Sequence, residues 1–165
     1  MPSPRYLTTL AAASIALAFP SAGWSATKTA TFTVQATVIS DCSIINAPNI
    51  NFGNVGVMTA NLDITSTLTV SCTPGTTYTL ALDGGSVSGS TVANRLMSQG
   101  ANTLQYQLYR DSGRTQTWGM TNGTDTQGGT GTGTNSIYTI YARMPPQNTP
   151  PVGVYTSTVT ATISY

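Results

Sequence analysis

The amino-acid sequence predicts an all-β protein, built as a sandwich of antiparallel strands. Apolar and polar residues alternate over many short segments, and the 16 glycines and 9 prolines fall largely between them. No segment after residue 25 shows the 3.6-residue apolar period of a capped helix. Many short strands separated by turn residues are typical of an antiparallel sandwich.

Four internal segments carry the clearest strand patterns. The longest alternates from Ile64 to Cys72, with apolar residues on one face and threonines on the other. Further strands are predicted at 78–82, 104–108 and 136–144. Residues 119–135 are rich in Gly, Thr and Asn, and residues 145–151 are rich in Pro, so both stretches are predicted to be loops.

Two more alternating segments lie near the ends of the chain. Near the N-terminus one face carries Ala30, Phe32, Val34, Ala36 and Val38. At the C-terminus one face carries Tyr155, Ser157, Val159, Ala161, Ile163 and Tyr165. Side chains alternate between the two faces of a strand, so each segment predicts one buried and one solvated face. A chain with a strand at each extremity can offer one of them to another molecule.

Residues 1–25 have the features of a signal peptide. Arg5 provides a basic start, and an apolar stretch from Leu7 to Phe19 follows. Cleavage after Ser25 would leave about 140 residues, which is one domain by length. The sequence therefore predicts an exported protein with a mature chain that begins at Ala26.

Charged residues are scarce. They make up 7% of the chain, and the sequence contains no His; all five acidic residues are Asp. This composition argues against nucleic-acid binding, and the absence of His excludes Ser-His and Cys-His catalytic pairs. The aspartates are scattered and are predicted to cap turns. We expect no enzymatic activity, no metal and no cofactor. The uncharged surface is either simply tolerated in a secreted protein or packed against other copies.

The two cysteines are Cys42 and Cys72. An even number of cysteines in an exported chain predicts a disulfide. Free thiols or a metal site are alternatives, but two thiols without His make a poor metal site.

Three aromatic residues are candidates for either a core or a sugar-stacking surface. Tyr78 and Tyr106 lie on leucine-bearing faces, and Trp118 precedes a glycine turn. The patterns favour the core for all three.

A series of short motifs follows in order along the chain. They are DCSI at 41–44, NFG at 51–53, LTVSCTPGTTYTLALDGG at 68–85, RLM at 95–97, LQYQLYRD at 104–111, TWG at 117–119, YTIYARMP at 138–145 and PPVGVYTSTVTATISY at 150–165. In this order and spacing the sequence resembles the spore coat protein U (SCPU) domain family, over essentially the whole mature chain. That family includes subunits of archaic, Csu-type chaperone–usher pili.

The resemblance implies an incomplete immunoglobulin-like, Greek-key β-sandwich at residues 40–165, completed by a donor strand from another chain. It implies that Cys42 and Cys72 are bonded and that residues 26–39 are the donor segment for the next subunit. The groove that accepts a donor would lie beside the C-terminal strand, at Tyr155, Val159, Ala161, Ile163 and Tyr165. None of the family's motif residues is catalytic.

The expected function is that of a non-enzymatic pilus subunit on the surface of a Gram-negative bacterium, serving adhesion and biofilm formation. Its expected partners are other pilus subunits, a periplasmic PapD-like chaperone and an outer-membrane usher. The length of one domain favours a shaft or minor subunit over a tip adhesin. Three alternatives stay open at this point. Residues 26–39 are the protein's own first strand, the protein is a secreted coat or matrix component, or it is a carbohydrate-binding module.

Overall fold

The computed structural model of the protein describes residues 23–165. The predicted signal peptide therefore lies outside the described residues, apart from its last three positions. The chain divides after Ala36 into two units, and the strands found within residues 23–165 all belong to the second unit, Thr37–Tyr165. Within residues 23–165, no helix is long and apolar enough to cross a membrane.

Eight β-strands make up the second unit. They are β1 (Cys42–Asn46), β2 (Leu62–Cys72), β3 (Thr77–Leu82), β4 (Arg95–Gln99), β5 (Asn102–Tyr109), β6 (Gln127–Thr130), β7 (Asn135–Met144) and β8 (Ala161–Ser164). The strands predicted from alternation correspond to β2, β3, β5 and β7. Three short strands, β1, β4 and β6, were not predicted.

The strands form two antiparallel sheets. One has five strands in the order β1-β2-β7-β5-β4, and the other has three in the order β6-β3-β8. The longest ladder joins β2 to β7, from the Leu62–Met144 pair to the Ser71–Asn135 pair. Because side chains alternate along β2, Leu68 and Val70 face the core while the intervening threonines face outward.

The core lies on the inner faces of these sheets. Trp118 is fully buried, and its indole Nε1–H donates a hydrogen bond of 2.9 Å to the carbonyl of Leu80. Tyr78 and Tyr106 are also buried, and the two are only 4% and 5% exposed. The prediction that these three aromatic residues belong to the core is confirmed.

The disulfide between Cys42 and Cys72 is confirmed. It joins the first residue of β1 to the last residue of β2, at a position where the two strands are paired. The bond closes a loop with a sequence separation of 30 residues. It therefore fixes the edge strand β1 to the long strand β2.

The prediction of a loop over 119–135 is wrong for its second half. Residues Gln127–Thr130 form β6 and pair with β3, and β7 begins at Asn135. Gly129 lies directly beneath the hydroxyl-bearing ends of Tyr78 and Tyr138, where a Cβ atom would collide with both rings. Glycine here permits close packing of the rings on the strand, although it carries no strand signal in the sequence.

The predicted assignment of all five aspartates to turns is also wrong for one of them. Asp63 lies inside β2, opposite Arg143 of β7. The two form a bidentate ion pair, in which Nε and Nη2 of Arg143 donate to the two carboxylate oxygens at 2.7 and 2.8 Å. The hydrogen bond from Arg143 lowers the pKa of the Asp63 carboxyl. A short acidic side chain on the outer face of a sheet can be satisfied across the ladder as well as in a turn.

The two terminal segments differ from simple strands. Residues 23–41 form no strand, so the strand expected there is not present in this structure. At the C-terminus, burial alternates from Tyr155 to Ser164 as predicted, but regular pairing is limited to β8. The preceding residues are extended and are held by isolated hydrogen bonds instead.

Candidate functional site: a groove beside the C-terminal segment

A groove runs between two stretches of the second unit that contain almost no regular strand. One wall is formed by residues 47–58 and the other by residues 149–161. The groove consists of two adjoining cavities of about 540 and 590 Å³. They share Phe52, Met97 and Tyr155 among their lining residues, so they lie next to each other along the groove.

The first cavity, here called the leucine lobe, opens directly onto the main core. Its floor comes from inward-facing positions of β2, β3, β5 and β7, namely Leu68, Leu82, Tyr106, Leu108 and Ile140. These positions project inward because side chains of one parity share a face of a strand. The core therefore has no covering strand over this part of the sandwich.

The second cavity, here called the methionine lobe, has a more adaptable lining. Met58, Met97 and Met144 line it together with Leu104. Met58, Leu104 and Met144 also form a small buried cluster of their own. Methionine side chains are unbranched and polarizable, so this lobe can adjust to side chains of different shapes.

One backbone edge of the C-terminal segment, residues 155–164, is hydrogen-bonded to the two sheets. Thr156 exchanges two hydrogen bonds with Ser98 of β4, at 3.0 and 3.1 Å. The N–H of Thr158 donates to Ser86 Oγ, and the N–H of Thr160 donates to the Asp83 carboxylate. β8 then pairs with β3. This edge ties the segment to both sheets.

The opposite backbone edge of the same segment is free. The N–H groups of Ser157 and Val159 have no hydrogen-bond partner within residues 23–165. In an antiparallel ladder, alternate residues direct their N–H and C=O groups away from the paired strand. Ala161 and Ile163 are the alternate residues of β8, because Thr160 and Asp83 form a hydrogen-bonded pair. An unpaired edge beside an apolar groove is a template for an incoming strand.

The opposite wall, residues 47–58, follows β1 and leaves the ladder with β2. Ile50 and Phe52 pack against the core from this wall. At its far end, Met58 accepts a hydrogen bond from the N–H of Gln147 and donates its own N–H to Thr149 Oγ1. These contacts fasten the wall to the start of the other wall and close the bottom of the methionine lobe.

The residues predicted to border a groove fall into two groups. Tyr155, Val159 and Ala161 line the leucine lobe. Ile163 does not line it; it pairs with Leu80 in β3 and packs against the core. Tyr165 lies beyond the groove, where its hydroxyl donates to the Asp41 carboxylate at 3.0 Å.

The five residues predicted to form a donor face are all exposed. Phe32, Val34 and Val38 are 87%, 84% and 82% exposed, and Ala30 and Ala36 are exposed as well. Exposing three large apolar side chains at alternate positions is unfavourable in water, because each loses its burial energy.

Arg95 is a residue beside the groove that sequence reasoning missed. Its side chain is fully buried, and burial lowers the pKa of its guanidinium group. The guanidinium donates to the carbonyls of Asp83, Leu82 and Trp118 at 2.7–2.9 Å, and to the side-chain oxygen of Gln107 at 2.6 Å. Arg95 belongs to the RLM motif but was given no predicted role, because an arginine at the start of a short strand carries no signal for burial.

Asp83 connects this arginine to the wall of the groove. Its carboxylate accepts hydrogen bonds of 2.9 Å from the N–H groups of Gly85 and Thr160. Burial opposes ionisation, but these hydrogen bonds outweigh it, so the pKa of Asp83 is lowered. The C-terminal segment is thus held by a charged group that is itself positioned by Arg95.

Two comparisons identify the family. The family model of the Spore Coat Protein U domain matches residues 28–162. The chain belongs to this family. Protein U of Myxococcus xanthus is a relative, 34% identical over 156 residues, which cover 86% of this chain and 87% of that protein.

The fold of this SCPU domain protein is similar to a solved structure from a pilus system. That structure is the CsuC–CsuE chaperone–tip adhesion subunit pre-assembly complex from archaic chaperone–usher Csu pili of Acinetobacter baumannii. The TM-score is 0.58 at 22% identity, and the match covers 78% of this chain. The chain spans 41% of the length of that solved chain. The likeness supports the predicted fold class, an incomplete immunoglobulin-like β-sandwich.

Proposed function

We propose that this protein is a non-enzymatic structural subunit of an archaic chaperone–usher pilus, polymerised by donor-strand exchange. The observation that carries the proposal is the free backbone edge of the C-terminal segment beside an open apolar groove. Residues 26–39 of another copy supply what this groove needs, which is an extended segment with one continuous apolar face.

The energetics of such a junction are favourable. Phe32, Val34 and Val38 would each contribute about 1.5–3 kcal/mol on full burial, and the two alanines less. The gross gain is about 6–10 kcal/mol, an upper bound before the cost of ordering the segment. Lys28 is the sole charge in the donor segment and precedes its apolar face. A shift by one residue would place the threonines in the groove, so the register is well specified.

The same groove explains the partners that we propose. Until a donor arrives, a periplasmic chaperone covers the groove, and an outer-membrane usher conducts the exchange. The similar solved structure is a complex of a chaperone with a pilus subunit, which supports this proposal. The chain would be exported through the periplasm by the predicted signal peptide of residues 1–25. The assembled fibre would serve adhesion and biofilm formation at the cell surface.

A second candidate is a coat or matrix component that assembles through the same groove. The description of the family as a spore coat domain and its relative named Protein U favour this candidate. The carbohydrate-binding alternative loses its basis, because Trp118, Tyr78 and Tyr106 are buried in the core.

The decisive experiment removes the proposed donor. A variant without residues 26–38 is co-expressed with the chaperone and the usher, and surface fibres are examined by electron microscopy. We expect subunits that bind the chaperone but form no fibres. A matched control, Thr31→Ser with Thr33→Ser, changes only the polar face and should form fibres of normal length.

A synthetic peptide of residues 26–40 completes the test. It should bind the deletion variant and displace the chaperone, whereas the same peptide with Phe32→Asp should not. Fibres of normal length from the deletion variant would overturn the donor assignment. Extended layers instead of fibres from the full chain would favour the coat candidate.

A further inference from the structure

Four valines are exposed at the methionine end of the groove. Val57, Val152 and Val154 are 80%, 97% and 79% exposed, and Val55 is 38% exposed. They lie at the mouth of the methionine lobe, on both of its walls. No charged residue occurs in 42–62 or in 144–165. This valine rim is an apolar surface that the core of its own domain does not use.

The opposite end of the second unit carries the point from which the donor segment departs. The N–H of Asp41 donates there to Thr73 Oγ1 and its carbonyl accepts from the N–H of Thr73, both at 3.0 Å. Its carboxylate accepts from the hydroxyl of Tyr165. The Cys42–Cys72 disulfide follows immediately. Ile39 and Tyr165 are exposed at this end, by 70% and 59%. We call residues 39–41 together with Tyr165 the root.

The rim and the root mark the two ends of the longest strand. β2 begins at Leu62, which packs on the methionine cluster, and ends at Cys72, beside the root. Its 11 residues span about 34 Å. The two apolar surfaces are therefore too far apart to contact each other within one chain.

The connector between donor and domain is short. Four residue steps separate Val38 from Cys42, and they reach at most about 14 Å. When the donor segment of one copy lies in the groove of another, the root of the first copy must therefore lie close to the end of that groove at which the donor segment emerges. At the root end of the acceptor copy, the acceptor's own donor segment leaves its domain, so that end is already occupied. The rim end is free, so the donor leaves across the valines.

From this geometry we propose a second contact between consecutive copies, in which the valine rim of one copy packs on the root of the next. The proposal rests on the proposed donor-strand exchange, but it concerns residues outside the apolar face of the donor segment. The contact is heterologous, because one end of a copy meets the opposite end of its neighbour, and such contacts build open filaments when the rotation between copies does not close a ring. Ile39 and the Tyr165 ring supply the apolar surface of the root.

Cysteine cross-linking in fibres of the full chain tests the proposal. The pair Val152→Cys with Ile39→Cys should give a ladder of covalent multimers in boiled, non-reduced samples. A matched control pair, Val152→Cys with Ile137→Cys, uses an exposed residue on the outer face of β7 and should give no ladder. Fibres that form normally but give equal cross-linking with both pairs would overturn the second contact.

A substitution series separates this proposal from donor-strand exchange. Val57→Ser with Val152→Ser should shorten the half-life of fibres in warm detergent at least tenfold, whereas Ile137→Ser should not change it. A further variant, Ile39→Ser, should reproduce the effect of the rim variant, because Ile39 lies outside both the groove lining and the five residues of the donor face. Unchanged half-lives in intact fibres would refute the second contact alone. Failure of the unaltered chain to form fibres, together with failure of the 26–40 peptide to bind, would refute the proposed function.

Discussion

The cluster around Arg95 and the groove beside the C-terminal segment lie on the same core, but they differ in how their groups are matched. Around Arg95, a buried cation is surrounded by carbonyl oxygens and a side-chain amide at hydrogen-bonding distance. In the groove, apolar side chains line a cavity, and the backbone edge at Ser157 and Val159 has no hydrogen-bond partner within residues 23–165. The first region is satisfied by groups of its own domain, whereas the second leaves a backbone edge and a cavity that the proposed donor would fill.

Under the proposed function, this difference separates the region that stabilises the domain from the region that would bind another copy. Asp83 joins the two regions, because its carbonyl accepts from Arg95 and its carboxylate accepts from Thr160. The rigid region thereby holds one edge of the C-terminal segment in an extended form. Because this edge is already fixed, less conformational entropy is lost when a strand pairs with the other edge.

The largest effect is expected from a charge on the donor face. Phe32→Asp would lose the burial of a large side chain and would place a carboxylate in an apolar groove, at a cost of roughly 5 kcal/mol or more. We expect fibres to be absent or to dissociate in detergent without heating. Thr33→Asp lies on the polar face and should leave fibres stable in the same assay. Equal loss with both variants would contradict the assignment of faces.

The disulfide allows the stability of the domain to be lowered without changing a residue that lines the groove. Replacing both Cys42 and Cys72 by Ser should lower the free energy of unfolding by about 3–4 kcal/mol, because a loop of about 30 residues is released in the unfolded chain. Denaturant unfolding of the chaperone-free subunit, saturated with the 26–40 peptide, measures this loss. A decrease in peptide affinity of comparable size would show that the two regions are not separable.

Removing the buried guanidinium should weaken the link between the regions. Arg95→Met retains much of the apolar stem but leaves several carbonyl oxygens without donors, at a cost of about 3 kcal/mol. We expect a lower free energy of unfolding and, in addition, weaker peptide binding, because the C-terminal segment loses its support. Arg143→Met, which breaks an exposed pair with Asp63, should cost at most about 1 kcal/mol. Thermal unfolding with and without peptide distinguishes the two variants.

The smallest effect concerns Asp83, and it depends on pH. Because the folded-state pKa is lowered from 3.8, the stabilisation by this carboxylate is complete above that value. It is lost as the pH falls through the lower folded-state pKa. Asp83→Asn should therefore cost about 1 kcal/mol at neutral pH, and the difference should vanish in strong acid. Midpoints of thermal unfolding across the acid range measure this, and a constant difference at every pH would contradict it.

The fold follows from the sequence wherever one face of a strand is buried. The alternation from Ile64 to Cys72 and around Leu80 and Leu108 predicts β2, β3 and β5 because burial on one side imposes a period of two. β6 was not predicted because two of its four residues are glycines, and at Gly129 the side chains of Tyr78 and Tyr138 leave no room for a Cβ atom. β4 was not predicted because it begins with Arg95, a charged residue whose side chain is buried.

The groove is less accessible to sequence reasoning than the strands. Its walls, 47–58 and 149–161, are far apart in the chain and are brought together by the sheet topology. Alternation from Tyr155 onward indicates which side chains face inward, but it does not show that one backbone edge is unpaired. That feature depends on which strand is absent, and only the arrangement of all eight strands reveals it.

The anchoring of Asp41 also determines how the domain would carry tension. A pull on the donor segment enters the domain at Cys42, and the covalent bond to Cys72 transmits it at once to β2, the longest strand. β2 in turn shares ten residue pairs with β7, so the force acts in shear on many hydrogen bonds together. The hydrogen bonds of the short strand β1 are bypassed. When the chain is pulled from its N-terminal side, the disulfide therefore resists unfolding first, and the β2–β7 ladder, the longest in the domain, resists it next.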